Sequence, residues 1–423
     1  MIQSPTHICI LGGGFGGLYT ALSLQRFRKL KSHNCKITLI ERKDHFLFTP
    51  LLYELITGEL QPWEIAPSYE KLLANTTIQF CQNTVQNVDL DLRQVLLEDG
   101  TLLNYDYLVL SVGSATRLQD IPGATSWAIP FRSLADVHRL QEKLQLLETS
   151  EREHIRVAVV GGGPNGVELA CKIADRLGKR GRVRLIERGG EILKTFPPKM
   201  RAIAYRAIKT RRIQVDLETQ INAIAPDSIT LIQNNQETVL PVDIVLWTVG
   251  TRPWNWVRNL PCSHNNQAQL IVHPTLQLID YPEVLALGDL AEIQDTRKRP
   301  IPATAQAAYQ QADCAAANLW AIMTHRPLRR FHYLHLGDMM TLGINAAVVS
   351  SFGVHLGGFL ASLIRRFVYL QRLPTLRHRL QVLRHWIASW ILQLPHGGRQ
   401  KLARLFVRNS AMRKASAYQR RSN

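Results

Sequence analysis

Ile8 to Leu24, ICILGGGFGGLYTALSL, constrains the fold more than any other stretch of this chain. An apolar run that suits a buried strand leads into Gly12, Gly14 and Gly17 at GxGxxG spacing. Leu18, Ala21 and Leu22 then recur with a helical period. A Cβ at such glycines would block the tight turn, the approach of backbone N–H groups to a pyrophosphate, and the close seating of helix on strand. Phe15 and Gly16 complete the loop. Lys36 to Glu41 reads as the next strand and ends in an acid placed to grip a ribose hydroxyl, with Arg42 behind it.

One such fingerprint is weakly specific, but this one recurs. RVAVVGGGPNGVELACKIA repeats the spacing at Gly161, Gly163 and Gly166, with Asn165 inside the loop. VRLIE then ends in Glu187 as KITLIE ends in Glu41. The acids fall 29 residues after Gly12 and 26 after Gly161. Two matched fingerprints predict an α/β chain with two Rossmann-like dinucleotide-binding domains. Each copy has a later apolar strand that delivers a glycine, Gly113 in YDYLVLSVG and Gly250 in VDIVLWTVG. A further short strand in PEVLALGDLAE, residues 282–292, delivers Gly288 and Asp289. Because this last piece follows the second repeat, the second domain is inserted in the first. The expected division is 1–120 and 271–353 for the outer domain, 121–270 for the inserted one, and 354–423 for a separate tail.

Composition matters chiefly for that tail. The formal charge is +18, yet fourteen Lys and Arg and no Asp or Glu fall between Val354 and Asn423, which leaves +4 for the rest. Val354–Leu373 and Leu376–Leu394, separated by Pro374, read as helices. In the second, Leu376, Leu380, Leu383, Ile387, Trp390, Ile391 and Leu394 share one face, away from Arg377, Arg384 and His385. A basic amphipathic helix with tryptophans predicts a membrane anchor lying on an anionic bilayer. Packing on the protein itself, or on a second subunit in a homodimer, is the alternative; binding of nucleic acid fits the leucine and tryptophan stripe less well. The uncharged run Ile344–Ile364 is broken by glycines, Asn345, serines and His355, so no spanning helix is expected. The N-terminus lacks a basic segment before its apolar run, so no signal peptide is read. Six scattered cysteines without CxxC predict reduced thiols and no metal site.

With these marks, the chain resembles the two-dinucleotide-binding-domain flavoproteins. Within them it is similar to the type II NAD(P)H:quinone dehydrogenases over essentially its full length. FLFTPLLYELITGEL (46–60), GPNGVELA with Glu168, and PATAQAAYQQA (302–312) carry the resemblance. It implies non-covalent FAD held by Gly12, Gly14, Phe15, Gly16, Gly17, Glu41, Arg42, Val85, Gly113, Gly288 and Asp289. NADH or NADPH would lie over Gly161, Gly163, Asn165, Gly166, Glu187 and Gly250, with Glu168 positioning the nicotinamide. The resemblance also places Gln306 and Gln310 beside the flavin ring and the quinone head. Read from their spacing alone, these two residues would be a solvated helix face. ERKDHFLFTPLLYELITGELQPWEIAP is nearest to the branch found in cyanobacteria and plastids, which includes demethylphylloquinone reductase. The EF-hand insertion of calcium-regulated members has no counterpart between Gly163 and Gly288.

The implied activity is ping-pong transfer of hydride from NAD(P)H through flavin to a membrane ubi-, plasto- or naphthoquinone, without proton pumping. The expected location is peripheral, on the cytoplasmic side of a membrane or the equivalent stromal or matrix side. A ferredoxin or rubredoxin reductase would share both folds but has no reason for the anchor. A sulfide:quinone reductase would need cysteines near the flavin, and 41–60 has none. A flavoprotein related to apoptosis-inducing factor is the non-enzyme alternative. Glu187 favours NADH, with Arg182, Arg184 and Arg188 as counterweights.

Overall fold

The computed structural model describes residues 5–27, 34–118, 120–295 and 299–393. Ten parallel strands build its two main sheets. In chain order they are β1 (Thr6–Leu11), β2 (Cys35–Glu41), β3 (Ile78–Gln82), β4 (Tyr107–Leu110), β5 (Ala128–Pro130), β6 (Ile155–Val160), β7 (Gly181–Ile186), β8 (Gln214–Asp216), β9 (Ile244–Trp247) and β10 (Val284–Ala286). The first sheet runs β3-β2-β1-β4-β10 and the second β8-β7-β6-β9-β5, all neighbours parallel. Central strands β1 and β6 are near-continuous apolar runs, as expected where helices cover both faces.

The two sheets repeat one plan. In each, a glycine turn and a helix join the central strand to the next: α1 (Phe15–Leu24) between β1 and β2 in the outer domain, and, after α2 (Leu134–Thr149), α3 (Pro164–Leu177) between β6 and β7 in the inserted one. In each, a three-stranded antiparallel meander precedes the returning strand, Val85–Asn104 before β4 and Thr219–Pro241 before β9. The edges differ in origin: β10 follows the insertion, whereas β5 precedes β6. The crossovers between domains pair with each other, Ala115 and Thr116 against Arg252 and Thr251.

After α4 (Pro198–Thr210) and the return to the first sheet comes α5 (Ala305–Met323), whose alanines let it lie close against α1. Ala308, Ala312, Ala315 and Ala316 are buried, and Ser23 Oγ donates to Asp313 Oδ1 at 2.5 Å.

The tail departs from expectation. Val354–Gly358 is the third strand of an antiparallel sheet with Asp338–Thr341 and Ala347–Ser351, not the start of a helix. Phe352 and Gly353 form its turn, both at positive φ (46° and 81°), the conformation a two-residue hairpin needs. Helix α6 (Phe359–Arg372) follows, then α7 (Leu376–Gln393). The main compact unit runs to Tyr369, within α6, and a second unit begins at Leu370. On α7, Leu376, Leu380, Leu383, Ile387 and Trp390 are exposed. The side chain of Ile391, Leu394 and the rest of the predicted anchor lie outside the described residues. Among the described residues no helix is long and apolar enough to cross a membrane.

Candidate functional site: two matched nucleotide cradles

The glycines of the first fingerprint do two kinds of work. A Cβ on Gly12 would lie 2.5 Å from the Ser111 carbonyl oxygen, and one on Gly17 would lie 1.8 Å from that of Gly12. Those positions are glycine because backbone meets backbone. A Cβ on Gly14 would meet nothing within 4 Å, because it faces an open cleft at the N-terminus of α1. The turn is held by Gly12 N donating to Ile40 O at 2.8 Å and Ser111 Oγ donating to Leu11 O at 2.8 Å. Glu41 accepts from the Gly13 amide at 2.8 Å and the Lys43 amide at 3.2 Å. Buried Tyr69, which the motif does not signal, donates to Gly13 O at 2.7 Å.

The cleft has a volume of about 890 Å³ and gathers residues distant in sequence. Gly12, Gly14, Phe15, Gly16, Glu41, Arg42, Val85, Gly113, Gly288 and Asp289 all line it; Gly17 lies behind, against Gly12. Asp289 Oδ2 accepts from Ser114 Oγ at 2.9 Å and faces Arg132 Nη2 at 3.4 Å. An open cradle at a helix N-terminus, a strand-end acid and a second acid across the cleft are a donor set that fits a dinucleotide.

The second cradle reproduces the first. Gly161 N donates to Ile186 O at 2.8 Å, and Thr248 Oγ1 takes the place of Ser111, donating to Val160 O at 2.7 Å. A Cβ on Gly166 would fall 1.8 Å from Gly161 O, while one on Gly163 would meet open space. Glu187 accepts from the Gly162 and Gly189 amides, each at 2.6 Å. Gly250 adopts φ 72° at the crossover and accepts from Arg117 N at 2.9 Å. Of the arginines near Glu187, Arg184 is engaged by Asp216 at 2.9 Å and Arg182 by the backbone of Lys179 and Gly181; Arg188 is exposed. Asn165 and Glu168, at the start of α3, line the first cleft, so the two sites meet there.

Glu168 is buried, with Oε1 accepting from Thr341 N at 2.8 Å and lying 3.5 Å from Arg365 Nη2. Burial pushes its carboxyl up to about 8, against the pull of Arg365 and of the Thr341 amide. Arg365 also pairs with Glu54, donates to Pro50 O at 2.6 Å and stacks 4.8 Å over the Tyr369 ring. Buried Lys172 pairs with Glu59 and stands 4.0 Å from Glu54, and Arg366 donates to Glu59 at 2.7 Å. Three cations thus gather on Glu54 and Glu59, beside a Glu168 that holds its proton, in a largely buried cluster where an unpaired charge would be costly. Sequence reading missed Arg365, Arg366 and Tyr369, since their partners Glu54, Glu59 and Phe48 lie some three hundred residues away.

The glutamines of α5, which the resemblance sets beside the flavin ring and the quinone head, are hydrogen-bonded to a neighbouring segment. Gln306 accepts from Tyr333 OH (2.9 Å) and Leu336 N (3.0 Å) and donates to Gly337 O at 3.2 Å. Gln310 exchanges two hydrogen bonds with the Leu334 backbone, at 2.8 and 2.9 Å. Both amides brace the segment 333–337. The wall that α5 gives the cleft is Thr304, Ala305 and Ala308. The backbone groups of that irregular segment need partners, and the glutamines supply them. Among the described residues no group of three His, Cys, Asp or Glu could hold a metal.

Residues 6–312 match the pyridine nucleotide-disulphide oxidoreductase family. The chain belongs to this family. Demethylphylloquinone reductase NdbB of Synechocystis sp. is 46% identical over 93% of this chain and all of that protein. Alternative NAD(P)H-ubiquinone oxidoreductase C1 of Arabidopsis thaliana is 37% identical, over 90% of this chain and 80% of that protein. Within the family the chain therefore falls among the type II NAD(P)H:quinone oxidoreductases. In fold it matches the Plasmodium falciparum NDH2 structure in complex with RYL-552, with a TM-score of 0.81, 20% identity, and coverage of 91% of this chain and 98% of that one.

Proposed function

We propose that this chain is a single-subunit, FAD-dependent NAD(P)H:quinone oxidoreductase that favours NADH and works at the surface of an anionic membrane. The observation that carries the proposal is the meeting of two matched cradles at one cleft, at Asn165 and Glu168. Bound FAD supplies the chemistry, accepting hydride from a nicotinamide and giving two electrons to a quinone. The chain's own residues bind and orient. Gly14 and the α1 N-terminus receive the diphosphate, Glu41 the adenosine ribose, and Asp289 the ribitol end, while Gly163 and Glu187 do the same for the nicotinamide nucleotide. Glu168 orients the nicotinamide from the floor of the cleft. Gln306 and Gln310 serve the quinone side by fixing the segment that runs into Asp338 and Met339, both at the cleft.

A naphthoquinone of the demethylphylloquinone type is the preferred acceptor, by analogy with the Synechocystis protein's name. The basic tail, with the exposed stripe of α7, holds the protein to anionic lipid from the cytoplasmic or equivalent side. A rapid-mixing experiment tests the whole reading. NADH should bleach the flavin, and a panel of naphtho-, plasto- and ubiquinones should restore its colour, the naphthoquinone fastest. Restoration by ferredoxin and by no quinone would sink it.

A further inference from the structure

The segments that lead into and out of the inserted domain do more than connect. The loop after β5, at the entry to the inserted domain, carries Arg132, just before the N-cap residue Ser133 of α2. Its Nη2 donates to Ser114 Oγ at 3.2 Å and faces Asp289 at 3.4 Å, while its buried Nη1 has no hydrogen-bond partner. The outbound segment carries Trp254, whose Nε1 donates to Val112 O at 3.1 Å and whose ring lies 4.9 Å beneath the Arg42 guanidinium. Arg132, Arg42 and Trp254 all line the first cleft.

A diphosphate brings two negative charges into a cleft that already holds Glu41, Asp136 and Asp289. The N-terminus of α1 offers about half a positive charge. Arg132 has a full charge and a donor to spare, and a guanidinium suits phosphate oxygens. Trp254 is placed at the other end, where Glu41 and Arg42 receive the adenosine.

We infer that these two segments form a latch on the dinucleotide of the first cleft, Arg132 as its phosphate cation and Trp254 with Arg42 as the cover of its adenosine end. The inference rests on FAD occupying that cleft. A bound dinucleotide then ties both segments down, so occupancy of the first site holds the inserted domain in place.

The test is titration of flavin-stripped protein with FAD, followed by flavin fluorescence, for wild type, Arg132→Gln, Trp254→Ala and Trp254→Phe. Arg132→Gln should weaken FAD about tenfold and flatten the salt dependence of binding, which a purely structural arginine would not do. Trp254→Ala should weaken it about fivefold or more, and Trp254→Phe should recover most of the loss. Thermal unfolding of the stripped proteins controls for fold, and any variant that melts early is replaced in the comparison by Arg132→Lys or Trp254→Phe. If wild type binds FAD and the variants bind equally tightly with unchanged salt dependence, the latch is overturned. If wild type itself binds no FAD, the functional reading falls.

Discussion

Gly14 and Gly17 separate two reasons for being glycine. A side chain at Gly17 would strike backbone, whereas one at Gly14 would enter the cleft. Gly14→Val should therefore leave the stripped protein within about 1 kcal/mol of wild-type stability, since valine is only a poorer N-cap, yet weaken FAD by roughly a hundredfold or more. Gly17→Ala should lose stability by about 1–3 kcal/mol or fail to fold. Denaturant melts and FAD titration read both, and a fully loaded Gly14→Val protein would refute the cradle. Glu168 makes a prediction about pH. Its folded carboxyl stands near 8 against an ordinary 4.5, so the folded state holds this proton more tightly than the unfolded chain does. Its contribution is fully present below pH 4.5 and is lost as pH rises through 8. Glu168→Gln removes that dependence. Denaturation midpoints should fall for wild type relative to the variant between about pH 5 and 8, and parallel curves would show that Glu168 is ionised throughout. Glu187 is tested by kcat/KM for NADH and NADPH. Because Arg184 is engaged by Asp216, Glu187→Gln should shift preference toward NADPH by about tenfold, and an unmoved ratio would point to Arg188 instead.

At the scale of elements, α5 is a brace as much as a wall. Gln306→Ala or Gln310→Ala frees backbone groups of 333–337. Reoxidation of flavin by quinone should slow while reduction by NADH stays largely intact; stopped-flow traces with the reverse pattern would remove α5 from the quinone side. What the sequence allowed one to see, and what it hid, follows from range. The βα units are local, with strand, glycine turn and helix contiguous, so their period and spacing are visible in a line of text. The strand Val354–Gly358 was hidden because its apolar residues adjoin those of α6, although Phe352-Gly353 between strand-like residues is a hairpin signal. Tyr69, Arg132, Trp254 and Arg365 act through partners brought close only by the fold. The glutamines were hidden for a different reason: helical spacing fixes which residues share a face, but not what backbone will arrive opposite.

For the whole molecule, α6 decides where the chain can be shortened. Truncation after Arg372 removes eleven of the fourteen tail cations and keeps Arg365 and Arg366 on their carboxylates. That protein should stay folded and yellow but no longer pellet with anionic vesicles. The full-length protein should be released only partly by salt, because screening leaves apolar burial untouched. Truncation after Ser351 should instead aggregate, since it strips a strand from its sheet and leaves Glu54 and Glu168 without Arg365. A shortened protein that still sediments with vesicles would place the lipid contact elsewhere. The pairing of Ala115–Thr116 with Thr251–Arg252 has a wider meaning. Everything between Thr116 and Thr251 begins and ends in one short ladder, so the host experiences it as a loop already closed at its base, and a longer or shorter tenant there changes the closure entropy only slightly. The electron-donor half is in this sense a cartridge. A lineage, or a protein engineer, can exchange one dinucleotide reader for another at that ladder, provided the newcomer keeps Arg132, Glu168 and Lys172, which face Asp289, Arg365 and Glu59 of the host.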